Sequence, residues 1–250
     1  MRFLRSLLTI PHVAIVTAFG SLVGLLMRLR DPSGDWVLDL ARWWSGWVTR
    51  FAGVRVTVDN RANLEPQQPY VFMANHASTI DIWALFLAIP RRVRMIAKKQ
   101  LARIPLFGWV MWAGRFIFID RQNAVAARRS IDDAGRRIRG GDSVLIFPEG
   151  TRTRDGVLGP FKKGGFHTAL ALGCPIVPVW IDGASDVIAP DQFIVNYDVT
   201  ITARFGKPID TTGMTTDDLP ELMARVRRDM VALSGHPDDL EMPREEKSAA

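Results

Sequence analysis

The chain has 250 residues, of which 48% are hydrophobic and 23% are charged, so it can bury one substantial core, and we expect one main domain. Its net charge of +6 and isoelectric point near 10.0 favour an anionic partner. Charge alone does not choose between a phosphate-bearing substrate, an anionic lipid and a nucleic acid. The single cysteine, Cys174, excludes an intramolecular disulfide framework and a cysteine-rich metal site, and it is compatible with a reducing compartment.

The first 52 residues are more apolar than the rest of the chain. Residues 6–27 carry no formally charged side chain and are long enough to cross the roughly 30 Å hydrocarbon layer as a helix. Pro11, Gly20 and Gly24 weaken such a span, and the arginines on either side of it give no clear orientation. We favour a membrane anchor that dips into one leaflet as a helical hairpin over a transmembrane span or a cleaved signal peptide.

The second half of this hairpin is rich in tryptophan. Its apolar residues recur at helical spacing, which predicts an amphipathic helix with four tryptophans on one face: Trp36, Trp43, Trp44 and Trp47. Tryptophan rings are favoured at a membrane interface, so this face is predicted to touch lipid. The alternative is a helix that packs onto the core of the protein.

From Gly53 onward, short β-branched runs alternate with longer helical patterns. The predicted strands cover residues 54–58, 70–74, 93–97, 116–119, 144–147, 176–181 and 199–205. The predicted helices cover residues 79–87, 106–112, 124–138 and 164–172. This alternation predicts an α/β fold, with a mostly parallel or mixed central sheet flanked by helices and preceded by the N-terminal hairpin.

The predicted organisation has three parts. N-terminal membrane-associated helices occupy residues 1–52, the α/β domain occupies residues 53–234, and a polar C-terminal tail occupies residues 235–250. In open α/β sheets the binding crevice lies at the carboxyl ends of the strands. His76 and Glu149 each follow a predicted strand directly, so the chemistry is expected between them.

The string NHASTID at residues 75–81 places His76 and Asp81 at a predicted turn between a strand and a helix. A neutral imidazole can accept the proton of a hydroxyl that attacks a carbonyl, and a carboxylate on the other ring nitrogen fixes its tautomer. We interpret the pair as a general base with its orienting carboxylate. The alternative is a histidine that satisfies backbone groups beside a helix-capping aspartate.

A second string, FPEGTRTRDG at residues 147–156, supplies a candidate anion site. Gly150 and Gly156 permit a tight backbone path, and Arg152 offers a planar fork that suits a phosphate. Lys98 and Arg121 are expected to reach the same crevice. The alternatives are a turn with solvated charges and, for Lys98, a lysine that only contacts lipid headgroups.

These strings, taken together, resemble the glycerolipid acyltransferase family, whose members carry a His-four-Asp motif and an FPEGTR-type motif. The intermediate blocks AKKQLARIPLFGW at 97–109, GRFIFIDR at 114–121 and PIVPV at 175–179 follow in the order of that family. Gln100 stands where the family usually has glutamate. The resemblance implies that the glycerol-phosphate-binding blocks correspond to Arg121, Glu149, Gly150, Thr151 and Arg152. Because Glu149 would repel a phosphate, we assign it to a substrate hydroxyl or to a neighbouring arginine.

The resemblance implies transfer of a fatty acyl group from acyl-CoA or acyl carrier protein to the sn-2 hydroxyl of 1-acyl-glycerol 3-phosphate (lysophosphatidic acid), which gives phosphatidic acid. No metal, cofactor or nucleic acid is expected, because metal-ligand spacings are absent from the sequence and the basic runs at 91–94 and 136–139 lack a reading motif. Cys174 is interpreted as a small buried residue. Membrane lipids are expected partners, at the cytoplasmic face of the cell membrane. The alternatives are a related acceptor, either glycerol 3-phosphate or a lyso-aminolipid, and an inactive lipid-binding protein.

Overall fold

The structure is a computed structural model that describes residues 2–60, 64–65, 68–120, 130, 141–153, 157–188 and 195–235. Arg121, the predicted helix over residues 124–138 apart from residue 130, and the tail from residue 236 lie outside this part of the chain. The described strands are β1 (Arg55–Asp59), β2 (Val71–Ala74), β3 (Val93–Lys98), β4 (Ile117–Ile119), β5 (Ser143–Ile146), β6 (Ile176–Asp182) and β7 (Thr200–Phe205). The described α-helices are α1 (Arg2–Met27), α2 (Asp35–Phe51), α3 (Ile80–Ala88), α4 (Phe107–Ala113), α5 (Lys163–Leu172), α6 (Ala184–Val187) and α7 (Leu219–Ser234).

The seven strands form one sheet in the order β1-β7-β6-β2-β5-β3-β4. Every neighbouring pair is parallel except β6 and β7, which run antiparallel. The central strands β2 and β5 are buried along their whole length, as expected for parallel strands that are covered on both faces. The predicted α/β fold, with its mostly parallel mixed sheet and N-terminal helical pair, is confirmed.

Successive side chains of the central strands point to opposite faces of the sheet and build two cores. Phe72 belongs to the core on the face of α2 and α3, whereas Val71 and Met73 belong to the core on the face of α5 and α7. Helix α7 is absent from the helices predicted above, although its buried residues recur at helical spacing: Leu219, Leu222, Val226 and Met230. The many polar residues elsewhere in this helix make its apolar periodicity hard to recognise from the sequence.

The N-terminal helices pack against the α/β core. Helix α1 contacts α2 and α4, and α2 contacts α3. In the part of the chain that the structure describes, no helix combines the length and the hydropathy that a bilayer span requires. The boundaries proposed at residues 52/53 and 234/235 remain a prediction.

Arg94 on β3 ties the turn between α1 and α2 to the core. Its side chain is buried and pairs with Asp142 at 2.5 Å and with Asp35 at the start of α2 at 3.0 Å. It also donates to the carbonyls of Gly114 and Ser33. Because a buried guanidinium left without its partners is costly, loss of the N-terminal helices would destabilise the core.

The four tryptophans of α2 lie on one broad face, as their helical spacing predicts, but they differ in exposure. Trp36 and Trp43 are exposed, at 48% and 61% of their surface. Trp44 meets Trp83 of α3 edge to face, and Trp47 is only partly exposed. Helix α2 therefore combines both interpretations, because one side packs onto the core while two tryptophans remain outside.

Candidate active site

The register of the sheet brings the two sequence motifs together. Strands β2 and β5 are parallel neighbours in which Met73 lies opposite Ile146. Three residues beyond this pair, the chain reaches His76 on one side and Glu149 on the other. The His76 backbone N–H donates to Glu149 Oε1 at 2.8 Å. The predicted crevice at the carboxyl ends of the strands is therefore where the motifs meet.

His76 and Asp81 form a hydrogen-bonded pair. His76 Nδ1 lies 2.8 Å from Asp81 Oδ2, and the same oxygen accepts the backbone N–H groups of Ala77 and Ser78, each at 2.8 Å. Asp81 is fully buried in the first turn of α3, while the His76 side chain keeps 16% of its surface exposed. The loop thus folds the carboxylate back onto the imidazole, as the spacing predicted.

This geometry equips His76 to accept a proton at its outer nitrogen. A carboxylate facing Nδ1 favours the neutral tautomer that carries its proton there, which leaves Nε2 with a lone pair. Phe147 stacks on the imidazole with ring centroids 4.0 Å apart and an interplanar angle of 20°. The ring is therefore held at its edge by Asp81 and on its face by the first residue of the second motif.

Glu149 joins two loops through both of its carboxylate oxygens. Oε1 accepts from His76 N–H, and Oε2 accepts from Gly159 N–H at 2.8 Å. Burial raises the pKa of Glu149, and the N–H groups of Gly159 and His76 act against this increase. The sequence favours a substrate hydroxyl or an arginine as the partner of this side chain, whereas the structure gives it these two backbone partners.

The remainder of the FPEGTR motif turns outward beside His76. Gly150 has a φ of 75°, a left-handed conformation that favours glycine, and Thr151 and Arg152 are exposed. Arg152 Nη1 donates to Thr79 Oγ1 at 3.0 Å. Thr153 N–H donates to the His76 carbonyl at 2.8 Å, so the two loops are joined on both sides of the base.

Lys98 lies at the carboxyl end of β3, on the other side of β5 from the strand that leads to His76. Its side chain is exposed at the same edge of the sheet. Its proposed role in binding substrate remains a prediction. So does that of Arg121, which falls outside the described residues.

An apolar cavity of about 400 Å³ lies next to the His76 loop, which the sequence analysis did not foresee. Its lining includes Thr79, whose hydroxyl accepts from Arg152, and Trp83 and Phe86 of α3. Helices α1, α2 and α4 complete the wall. One feature of the sequence points to this cavity. Helix α3 is apolar at almost every position, which is typical of a helix that is surrounded by other helices.

A base beside an apolar cavity is suited to chemistry on a hydroxyl group of a lipid-like substrate. The acyltransferase family matches residues 55–182, which include both motifs. The chain belongs to the acyltransferase family.

Individual relatives extend the match beyond these residues. A 1-acyl-sn-glycerol-3-phosphate acyltransferase of Saccharomyces cerevisiae is 32% identical over 234 residues, which cover 92% of this chain and 76% of the yeast protein. A Haemophilus influenzae protein of the same name is 29% identical over 90% of this chain and 91% of its own length. The crystal structure of the 1-acyl-sn-glycerophosphate acyltransferase of Thermotoga maritima shares the fold, with a TM-score of 0.77 at 23% identity over 94% of this chain and 97% of that one.

Proposed function

We propose that this chain transfers a fatty acyl group from a thioester donor to the sn-2 hydroxyl of 1-acyl-glycerol 3-phosphate, giving phosphatidic acid. The observation that carries the proposal is the hydrogen-bonded pair of His76 and Asp81 beside an apolar cavity. The yeast and Haemophilus relatives, which match across most of this chain, bear the name of this activity. Acyl-CoA and acyl carrier protein both present the required thioester.

His76 acts as general base in a direct transfer. Its Nε2 takes the proton of the acceptor hydroxyl while that oxygen attacks the thioester carbonyl, and Asp81 stabilises the resulting imidazolium. Collapse of the tetrahedral intermediate breaks the carbon–sulfur bond, and the leaving thiolate takes the proton back from His76. Because the attacking oxygen belongs to the substrate, no side chain of the protein becomes acylated.

The acceptor phosphate is assigned to the exposed end of the FPEGTR loop. The guanidinium of Arg152 offers a bidentate fork, and its bond to Thr79 places it next to the His76 loop. Gly150 and Thr151 shape the same turn. Lys98, at the carboxyl end of β3, and Arg121 are proposed to add positive charge for the same phosphate. Glu149 is proposed to hold His76 through the backbone, because both of its oxygens already accept N–H groups.

The cavity beside Thr79 is assigned to the acyl chain that is transferred. The donor's carbonyl carbon must lie at His76, so the chain attached to this carbon continues directly into the nearest apolar space. At about 400 Å³ the cavity falls within the range of pockets that bind small apolar ligands, roughly 300–1,000 Å³. Burial of the methylene groups there stabilises the bound donor by about 0.8 kcal/mol per group.

Membrane lipids are the proposed partners of the outer surface of the N-terminal helices and α4. Within the described residues, the strongly exposed large hydrophobic side chains all lie between residues 7 and 51 or between 104 and 112, except Val157. Trp43 and Trp112, at 61% and 64% exposure, have the amphipathic rings that suit a bilayer surface. Use of acyl-CoA or acyl carrier protein corresponds to the cytoplasmic face.

The test is acylation by the purified full-length chain in phosphatidylcholine vesicles. Labelled acyl-CoA and acyl carrier protein are each offered with lysophosphatidic acid, glycerol 3-phosphate and a lyso-aminolipid. We expect labelled phosphatidic acid, with the label released by cleavage at sn-2. If glycerol 3-phosphate or the lyso-aminolipid is acylated in preference, that compound and not lysophosphatidic acid is the acceptor. If no acceptor is acylated, the chain is better explained as an inactive lipid-binding protein.

A further inference from the structure

Arg227 on α7 is a buried arginine that holds a loop next to the active site. Only 8% of its surface is exposed. Nη2 donates to the Leu158 carbonyl and Nη1 to the Gly159 carbonyl, each at 2.8 Å, and the guanidinium lies 5.7 Å from the centre of the Phe161 ring. Burying a guanidinium costs free energy that is recovered only through well-placed hydrogen bonds. The position of this loop is therefore strongly specified.

The peptide group between Leu158 and Gly159 connects Arg227 to Glu149. Its carbonyl accepts from Arg227, and its N–H donates to Glu149 Oε2 at 2.8 Å. The described part of the chain contains no cis peptide, so these two groups point in opposite directions from one planar unit. A cation and a carboxylate thus lie at the two ends of one peptide dipole, and each strengthens the hydrogen bond of the other.

Glu149 links the 158–159 peptide to His76. Its second oxygen accepts the His76 N–H at 2.8 Å, so four hydrogen-bonded groups lead from α7 to the catalytic loop. The geometry leaves little room for change, because a Cβ on residue 159 would lie 3.1 Å from Glu149 Oε2. Arg227 lies beyond residues 55–182, which the acyltransferase family matches.

We propose that Arg227 is a positioning residue for the transfer reaction, which keeps the Glu149 carboxylate, and through it His76, in the productive arrangement by holding the 158–159 peptide. The inference rests on the proposed role of His76 as general base. Arg227 does not touch the reacting atoms. Its effect is therefore expected on turnover and not on the binding of either substrate.

The electrostatics of Glu149 give this role a distinct signature. Burial raises the pKa of Glu149, the N–H groups of Gly159 and His76 act against this, and the charges of His76 and Asp81 lower and raise it respectively. Removing the cation behind the peptide weakens the Gly159 N–H as a donor, so the pKa rises further. Protonation of Glu149 turns one of its oxygens into a hydroxyl, which is a much weaker acceptor for an N–H group. Activity should then be lost at a higher pH on the acid side.

The experiment is a double-mutant cycle on the full-length enzyme in vesicles, with kcat, both KM values and the pH dependence of kcat measured for each variant. Arg227→Met should lower kcat by about 10-fold, with both KM values nearly unchanged. It should also move the acid limb of the pH profile, which is the fall in kcat toward low pH, to higher pH. Glu149→Gln should lower kcat to a similar extent. The double variant should be no slower than Glu149→Gln alone, with no further shift of the limb. Arg227→Lys, which keeps the charge but loses the fork, should lie between wild type and Arg227→Met.

Arg204→Met is the matched control. Arg204 also bonds α7, through the Leu233 carbonyl, but its carboxylate partners are Asp182 and Asp59. The Arg204→Met variant should leave kcat and the acid limb of the pH profile unchanged. Should Arg227→Met fail to fold, Arg227→Lys carries the test. Gly159→Ala then perturbs the next group along, because its methyl group would lie 3.1 Å from Glu149 Oε2.

Independent, multiplying losses in the double variant, or an acid limb that stays in place, would overturn the inference and make Arg227 a purely structural residue. A different result would contradict the proposed function itself. Wild-type protein would then not acylate lysophosphatidic acid, or His76→Ala would retain its turnover, whatever residue 227 is.

Discussion

The strand-end site and the N-terminal helices are built from opposite kinds of interaction. At the site, His76, Asp81 and Glu149 are fixed by hydrogen bonds of 2.8 Å, and the bond between His76 and Glu149 joins residues 73 positions apart in sequence. The N-terminal helices pack largely through apolar side chains, with a few polar links such as Arg94 to Asp35, and leave large side chains outside, among them Phe19 at 67% exposure. Hydrogen bonds are directional and define one geometry, whereas apolar contacts depend mainly on buried area. One region is therefore suited to precise proton transfer and the other to lipid.

Arg94 and the cavity show where the two regions depend on each other. Arg94 pairs with Asp35 of α2, and the cavity beside Thr79 is walled by the N-terminal helices. Deleting residues 1–52 would therefore open the cavity and expose the core as well as removing a membrane contact. Point substitutions separate the contributions of the two regions better than truncation.

The largest effect is expected at the base. His76→Ala should lower kcat by at least about 100-fold with folding intact, because general base catalysis contributes roughly 10²–10⁴-fold. Asp81→Asn should also lose much of the activity, since the amide no longer stabilises the imidazolium. Steady-state acylation assays and circular dichroism measure both. His167→Ala, an exposed histidine on α5, is the control and should be fully active. Near-normal turnover by folded His76→Ala would contradict the mechanism.

The phosphate assignment is tested by Arg152. Arg152→Ala should raise the KM for lysophosphatidic acid by about 10-fold and leave the KM of the donor nearly unchanged, because a charge-assisted hydrogen bond is lost. Arg152→Lys should rescue only in part. Arg225→Ala, at an exposed position of α7, should change neither constant. An effect on the donor alone would mean that the two substrates have been placed the wrong way round.

The assignment of the cavity to the acyl chain is tested by a substitution in α1, because this N-terminal helix lines the cavity beside the active site. Gly20 lines the cavity and has open space where a side chain would begin, so Gly20→Leu should fill part of it. We expect use of long-chain donors to fall about 10-fold relative to short-chain donors. Gly164→Leu provides the control at an exposed position of α5, where a Cβ also meets open space. An unchanged donor profile in Gly20→Leu would place the acyl chain elsewhere.

The membrane assignment is tested by removing exposed rings. Trp36→Ser combined with Trp43→Ser should weaken vesicle binding several-fold, by about 10-fold at most, because two interfacial aromatic contacts are lost. Vesicle sedimentation measures the binding, and thermal unfolding checks that the fold is kept. Val157→Ser, an exposed apolar position in another part of the chain, should bind as wild type does. Unaltered binding by the double variant would move the lipid contact to another surface.

The smallest effect is expected at Cys174. Its thiol is buried, burial raises its pKa, and it donates weakly to the Leu172 carbonyl at 3.5 Å, so it is a poor nucleophile. Cys174→Ala should retain most of the activity, and rapid quenching with labelled donor should trap no acylated protein. A burst of acyl-enzyme that disappears in Cys174→Ala would replace direct transfer with a covalent mechanism.

The sequence by itself determined the seven strands, the position of the site at their carboxyl ends and the pairing of His76 with Asp81. Hydrophobic periodicity is a local property, and five residues of chain at a strand end are enough to bring a carboxylate back to an imidazole.

Only the tertiary structure decided the partners of Glu149, the cavity, the division of the α2 tryptophans between core and surface, and the link to Arg227. Each of these depends on strand register or helix packing between segments that are distant in sequence. Glu149 meets His76 because Met73 lies opposite Ile146. It also meets Gly159, which in turn accepts a hydrogen bond from Arg227, 68 positions further along. Local patterns do not contain this information, since the atoms involved become neighbours only when the whole sheet has assembled.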